Sequence, residues 1–294
     1  MKENIWPKVY IIILNYNGKK VLNNCLKSVF RLDYPNFEVV VVDNASNDGS
    51  FEKAKMNFSK VHFIQSSQNI GFARGNNLGI RWALEKMADY VWLLNNDTLI
   101  KRNTLKEMIK IAEKEKKYGV FSPLIKDKNN KIWFSGGKIN WWKMKVEHNQ
   151  ENHLENILSQ KKIISTEFIT GCAMLIKKEV FRKIGILNEN YFLYYEDADF
   201  SWKAQKAGFL LGIIPNSQIQ HLEQSNEINE QKIYWLVKSG LYFFFQNASW
   251  YHKIYLKMYF ELRKWYNSRK IRNNSSDKIT PKIIQAFNDF SRNN

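Results

Sequence analysis

YVWLLNNDTL, residues 90–99, sets an apolar run from Tyr90 to Leu94 against Asn95, Asn96 and Asp97. A short, continuously apolar run is the pattern of a strand buried on both faces of a parallel sheet. A polar tip with a carboxylate, just past such a strand, suits a divalent cation. One carboxylate supplies one ligand, so the others have to come from elsewhere.

Working outward, three similar runs precede this one: Val9–Leu14, Phe37–Val42 and Val61–Gln65. Helical patterns separate them, from Gly18 to about Phe30, from Ser50 as cap to about Phe58, and from about Arg74 to Lys86. A fourth helix follows, to about Lys116. Strand and helix alternating at this spacing predict an α/β fold, a mostly parallel sheet flanked by helices. In such sheets ligands bind beyond the carboxyl ends of the strands. The second third is less regular. It predicts a polar loop over Glu147–Gln160, a strand over Phe168–Lys177, a helix over Ala198–Ala207 and a strand over Phe209–Ile214 that ends before Pro215.

Each strand tip carries turn residues that can also bind: Tyr16 and Asn17 after the first, Asp43 and Asn44 after the second, Arg74 and Asn77 after the third, Asn95, Asn96 and Asp97 after the fourth. Asn, Asp and Gly make turns for local reasons, but four such tips on one rim fit a nucleotide-linked ligand. Asp43 can accept from a base N–H, Tyr16 offers a ring for stacking, and Arg74 at a helix start suits a diphosphate. Asp97 is the charged candidate for a cation. Further on, Glu196, Asp197 and Asp199 cluster where a helix begins, a place that favours ionised carboxylates and hence a general base. His221, in the polar loop NSQIQHLEQS expected past the Phe209–Ile214 strand, is a candidate metal ligand.

The 294 residues carry 45 Lys and Arg against 28 Asp and Glu, a net charge of +17. That balance suits an anionic partner. No nucleic-acid-binding motif accompanies it, and the acids gather at the proposed cleft, so nucleic acid is not the expected partner. Cys25 and Cys172 lack disulfide or metal spacing and are expected as buried thiols in a reducing, cytoplasmic setting. No window approaches the roughly 18 apolar residues of a spanning helix, and the N-terminus does not have the pattern of a signal peptide.

The blocks VYIIILNYNG, FEVVVVDNASNDGS, NIGFARGNNLGI, VWLLNNDT and GCAMLIKKEVFRKIGILNENYFLYYEDADFSWKAQKAGF, with His221, resemble in their order the family 2 inverting glycosyltransferases, and most of all their rhamnosyltransferase-like branch. The resemblance, from about Val9 to His221, implies a GT-A fold with a nucleotide-sugar-binding half over 1–117 and an acceptor half over 118–225; the shift to an aromatic, basic, helical composition from about Asn226 predicts a helical extension over 226–294. It implies a nucleoside-diphosphate sugar donor, dTDP-rhamnose or a UDP-sugar, held with Mg2+ or Mn2+, and a glycan or lipid-linked acceptor in bacterial surface polysaccharide synthesis. By position, Tyr16 lines the base pocket, Asp43 pairs with a pyrimidine and Arg74 lies near the diphosphate, with Asn17, Asn44, Asn77, Asn95 and Asn96 beside them. Asp97 is then the metal-binding acid, His221 completes the metal site, Asp197 is the general base, and Glu196 and Trp141 face the acceptor. Asn95 stands where many relatives have a first acid, and the turn after His221 reads Leu222-Glu223-Gln224-Ser225 without a glycine. A nucleotidyltransferase and a non-catalytic sugar-nucleotide binder remain as alternatives. For the aromatic, basic extension three readings stay open: a cap on the domain, a dimer contact, or a helix lying on the anionic inner face of a membrane.

Overall fold

A computed structural model describes residues 6–149, 162–222, 229–273 and 278–292. The first half alternates as its apolar runs predict: β1 (Val9–Asn15), α1 (Leu22–Val29), β2 (Phe37–Asp43), α2 (Ser50–Asn57), β3 (Val61–Gln65), α3 (Phe72–Glu85) and β4 (Tyr90–Asn95). β3, β2, β1 and β4 lie side by side and parallel. The chain moves outward from β1 to β3, then returns to place β4 on the other side of β1. The cleft therefore opens at the ends of β1 and β4, where the strand order reverses. Val9 to Ile13, Val39 to Val42 and Val91 to Leu94 are all buried, which accounts for runs without polar alternation.

The second half follows as β5 (Thr98–Ile100), α4 (Thr104–Lys114), β6 (Tyr118–Lys126), β7 (Ile132–Phe134), β8 (Gly137–Asn140), β9 (Lys145–His148), β10 (Ile164–Thr166), β11 (Ala173–Lys177), α5 (Lys178–Ile184), α6 (Glu196–Lys206) and β12 (Leu210–His221). The main sheet runs β10-β12-β6-β11-β4-β1-β2-β3, with β5 on β12 and β7 on β6, while β8 and β9 form a separate hairpin. β11 is antiparallel to both β4 and β6, so it joins the two halves into one sheet.

Several expected boundaries change. The expected strand over Phe168–Lys177 is strand only from Ala173 on. Ser50 is the first residue of α2 and not its cap; its N–H donates to Asp48 Oδ1 instead. β12 does not stop before Pro215. It runs on to His221, with its register on β6 slipping between Ile214 and Gln218. That irregularity admits a proline, which has no N–H for the ladder. Of the polar loop expected over Glu147–Gln160, Glu147 and His148 belong to β9, and residues 150–160 lie outside the described residues. So do 223–225, the turn after His221.

The extension forms α7 (Glu230–Asn247), α8 (Trp250–Asn273) and α9 (Ile279–Arg292). α7 belongs to the main core: Phe243 and Phe244 are fully buried in the same cluster as the sheet. Truncating either to Ala would cost about 3–5 kcal/mol. A cut near residue 226 would therefore strip a wall from the catalytic unit. α9 closes a smaller cluster, Leu241, Phe260, Phe287 and Phe290. Both cysteines are buried, and burial pushes the Cys25 thiol up to about 12.

Candidate active site

The tip of β1 organises the cleft. Asn15 is fully buried, and its Nδ2 lies within hydrogen-bonding distance of Asp43 Oδ1, Ser46 Oγ and Ser50 Oγ at 2.9 to 3.0 Å. Its Oδ1 accepts from Asn96 Nδ2 at 2.9 Å. One amide thus ties the tips of β1, β2 and β4 together. Gly18 passes directly over it. A Cβ there would collide with Asn15 Oδ1 and come 2.6 Å from Asn96 Nδ2. Gly18→Ala is expected to break the Asn15–Asn96 link and cost about 1–3 kcal/mol, read as a lowered denaturation midpoint; an unchanged midpoint would remove this role for Gly18.

A cavity of about 630 Å³ opens past these tips, within the size range of small-molecule sites. Tyr16, Asn17, Asn95, Asn96 and Asp97 line it from the first half; Glu196, Asp197 and His221 line it from the second. Tyr16 is exposed, its ring available for stacking.

Four other residues expected at the ligand are placed differently. Asp43 is closed from solvent and accepts from Asn15 Nδ2, Ser46 N and Ser46 Oγ. Asn44 is spent on Asn69, Ile70 and Gly71, which fastens the β3–α3 turn to the tip of β2. Asn77 is buried between Leu187 and Glu189, using both its amide nitrogen and its oxygen. Arg74 faces Glu189, donating to its carbonyl at 3.2 Å, and lines a neighbouring cavity. None of the four lines the main cavity. Their polar groups hold the frame together, since a buried polar group left unpaired is costly. Trp141 is also outside it, packed on Trp202, Phe243 and Phe244.

Asp97 and His221, 124 positions apart in sequence, meet through a short antiparallel pairing. β5 sets Thr98 opposite His221, and Leu222 N–H donates to Asp97 O at 2.8 Å. His221 Nε2 then sits 3.2 Å from Asp97 Oδ1. His221 packs against Trp133 at 4.6 Å between ring centroids. Beyond the 3.2 Å contact between the pair, Asp97 Oδ1 and His221 Nδ1 are buried with no hydrogen-bond partner among the described residues. A carboxylate oxygen and an imidazole are a donor set that fits a divalent cation. Among the described residues no group of three or more His, Cys, Asp or Glu could hold one unaided.

On the other wall, Tyr194 and Tyr195 both adopt φ of 67°, left-handed conformations unusual for bulky side chains. They turn the chain sharply into α6, whose first residues are Glu196 and Asp197. Asp197 Oδ2 accepts from Gly171 N–H at 2.9 Å, and Oδ1 from Ala198 N–H at 2.8 Å. Burial nevertheless raises Asp197 above the usual carboxylate range. Glu196 is raised well above it, by burial and then by the Asp197 charge beside it, and its Oε2 has no hydrogen-bond partner among the described residues. Burial favours the neutral acid at both carboxyls, and the Asp197 charge adds to this at Glu196 alone. Asp199 does a different job. It pairs with Lys203 at 2.6 Å and accepts from Asn247 Nδ2 at 3.2 Å, linking α6 to the end of α7. Ser239 Oγ on α7 also donates to Leu193 O. α7 thereby braces the strained turn that presents the two acids.

The match to known families follows this geometry. Residues 10–185 match the family described as Glycosyl transferase family 2. The chain belongs to this family. The matched stretch covers every strand of the parallel half and β11, the strand that joins the two halves. Among curated relatives, a low-salt glycan biosynthesis hexosyltransferase of Haloferax volcanii is 26% identical over 219 residues, which cover 72% of this chain and 66% of that protein. An N-acetylglucosaminyl-diphospho-decaprenol L-rhamnosyltransferase of Mycobacterium tuberculosis is 22% identical over 230 residues, 72% of this chain and 75% of that one. Among solved structures, GalNAc-T7 with UDP, GalNAc and Mn2+ superimposes with a TM-score of 0.71 at 16% identity, over 98% of this chain and 55% of that chain. The fold is therefore GT-A, and the chain is a glycosyltransferase.

Sequence reasoning missed the aromatic side of this family 2 cavity. Trp133, His148 and Phe168 line it and pack on one another, His148 lying 5.2 Å from Trp133 and 5.7 Å from Phe168 between centroids. Burial lowers His148 to about 4, so its imidazole is neutral at physiological pH. The signal was in the aromatic run Trp133-Phe134, but Trp133 lies on β7, His148 on β9 and Phe168 just past β10, and short strands without a long apolar run carry no periodicity to read.

Proposed function

We propose that this chain transfers a sugar from a nucleoside-diphosphate donor to an acceptor hydroxyl with inversion at the anomeric carbon. The observation that carries this reading is that one cavity joins the Asp97–His221 pair to the raised carboxyls Glu196 and Asp197. Asp197 is the general base. It takes the acceptor hydroxyl proton as that oxygen bonds to the anomeric carbon. The bond from that carbon to the diphosphate breaks, and its electron pair leaves with the nucleoside diphosphate. Glu196, holding its proton, donates a hydrogen bond to the acceptor. Tyr16 stacks on the base, and Asn17, Asn95 and Asn96 orient the donor. Asp43, Asn44 and Asn77 enter the reading as the frame of the donor pocket, and Arg74 as a residue of its rim.

Asp97 and His221 would hold a divalent cation, with the donor diphosphate and water completing its shell. When bound, that ion supplies Lewis-acid charge against the leaving diphosphate. The imidazole favours Mn2+ over Mg2+, and Mn2+ is the ion named with GalNAc-T7. The donor we assign first is dTDP-rhamnose, then a UDP-hexose; the mycobacterial relative is named for rhamnosyl transfer to a decaprenol-linked sugar. An acceptor carried on a lipid would bring residues 226–294 to the inner face of a membrane. No described helix is long and apolar enough to cross one.

A panel of dTDP- and UDP-sugars, assayed for nucleoside diphosphate release with Mn2+ and with chelator, tests the reading. Release from one donor that stops on chelation is expected. Absence of release from every donor, in the presence of lipid-linked and free glycan acceptors, would overturn it.

A further inference from the structure

α8 is apolar on two opposite faces. One face turns inward: Leu256 and Phe260 are buried, and Phe260 packs on Phe287 and Phe290 of α9 at 4.8 and 5.9 Å between centroids. That face is enough to seat the helix. The other face turns outward. Tyr251, Ile254, Met258, Leu262, Trp265 and Tyr266 recur at intervals of three and four, apart from the adjacent last pair, and are between 50% and 63% exposed. At 1.5 Å per residue the stripe is about 22 Å long. Soluble surfaces scatter large apolar side chains singly; a continuous stripe marks a contact surface.

Charge names the occupant. On the helical wheel Arg263 and Lys270 border the stripe on one side and Lys257 on the other, with Lys264 and then Lys253 farther round toward the inward face. The Arg269 guanidinium lies 4.0 Å over the Trp265 ring, within the stripe itself. Against these six cations α8 has one acid up to Lys270, Glu261. An apolar stripe between rows of cations, with Trp and Tyr in it, is the pattern of a helix lying in the headgroup plane of an anionic bilayer. A second copy of this chain fits poorly, because pairing two such faces brings equal rows of cations together on molecules of net charge +17.

We infer that the outward face of α8 is a docking surface for an anionic lipid bilayer. The inference rests on the proposed function only for its purpose, which is to bring a lipid-borne acceptor to the cavity. Its physical basis is the helix alone. α8 is tied through α9 to α7, the helix that braces the Glu196–Asp197 turn, so a bilayer under α8 holds the catalytic unit at a fixed attitude to the surface.

Flotation with vesicles tests it, using the full chain, phosphatidylcholine alone, and phosphatidylcholine with about one-third phosphatidylglycerol. The protein is expected to float with the anionic vesicles and to stay behind with the neutral ones. The double variant Ile254→Glu with Leu262→Glu changes only exposed positions and should weaken anionic binding about tenfold or more, with the thermal midpoint and nucleoside diphosphate release to a free acceptor unchanged. Equal flotation of variant and parent overturns the inference, as does failure of the parent to bind anionic vesicles. A parent that sediments as a dimer, split by the double variant, also overturns it in favour of a second copy. Flotation without sugar transfer to any acceptor would sink the proposed function and leave the lipid surface standing.

Discussion

Asp197→Asn is expected to lower turnover by about 10²–10⁴-fold, the usual worth of a positioned general base, while nucleoside diphosphate binding with Mn2+ stays within about twofold of the parent. The carboxylate receives Gly171 and Ala198 N–H groups and lines the cavity across from the Asp97–His221 pair, so its loss removes the proton acceptor without touching the donor site. The pH dependence follows from the same burial. Asp197 works ionised, and burial pushes it up to about 6. The ionised fraction therefore falls as pH drops through that value, and kcat/KM should fall with it, tenfold per pH unit below the midpoint. Above the midpoint the rate levels off. Asp197 is raised by burial and not by a charge on Glu196, so Glu196→Gln should leave the acid limb close to its place. A limb near 4 in the parent would show that burial does not act on the catalytic group.

Asp97→Ala is expected to abolish the response to Mn2+ and to lower the rate about 10²–10³-fold, corresponding to several kcal/mol of charge stabilisation in the transition state. Asn95→Ala should cost about tenfold or less, since the Asn95 side chain is a neutral neighbour with no ion of its own to hold. His221→Ala should weaken Mn2+ binding about 10–100-fold. Its imidazole is held by Trp133 and by the β5–β12 pairing, so the rest of the site should persist. Water-proton relaxation by Mn2+, read in the presence of nucleoside diphosphate, separates the three. Equal relaxation in parent and Asp97→Ala would place the cation elsewhere.

The parallel half of the fold was legible because its strands are buried on both faces. Val9–Asn15 and Tyr90–Asn95 could be nothing but apolar until they reached the rim. The polar tips were legible for the same reason: the first asparagine or aspartate marks where the strand leaves the core. What a tip residue does was not. Asp43, Asn44 and Asn77 have the chemistry of ligands, but their partners are neighbouring strand tips and loops, and only the folded chain shows that their hydrogen bonds are already made. His221 was found as a residue and misplaced as a loop, because Pro215 breaks a strand in sequence while the β12 irregularity absorbs it in space. The three-residue β5, which carries His221 to Asp97, is too short to have a period. α7 was assigned to an extension by its change of composition, yet Phe243 and Phe244 complete the core under the catalytic turn.

The account stands most directly on the stereochemistry of transfer. A single displacement with Asp197 as base inverts the anomeric centre, and no side chain becomes bonded to the sugar. The anomeric configuration of the first-formed product, read by proton NMR coupling with the donor identified in the panel, is predicted to be opposite to that of the donor. Retained configuration would require two displacements or attack from the leaving-group face, and would contradict the assignment of Asp197.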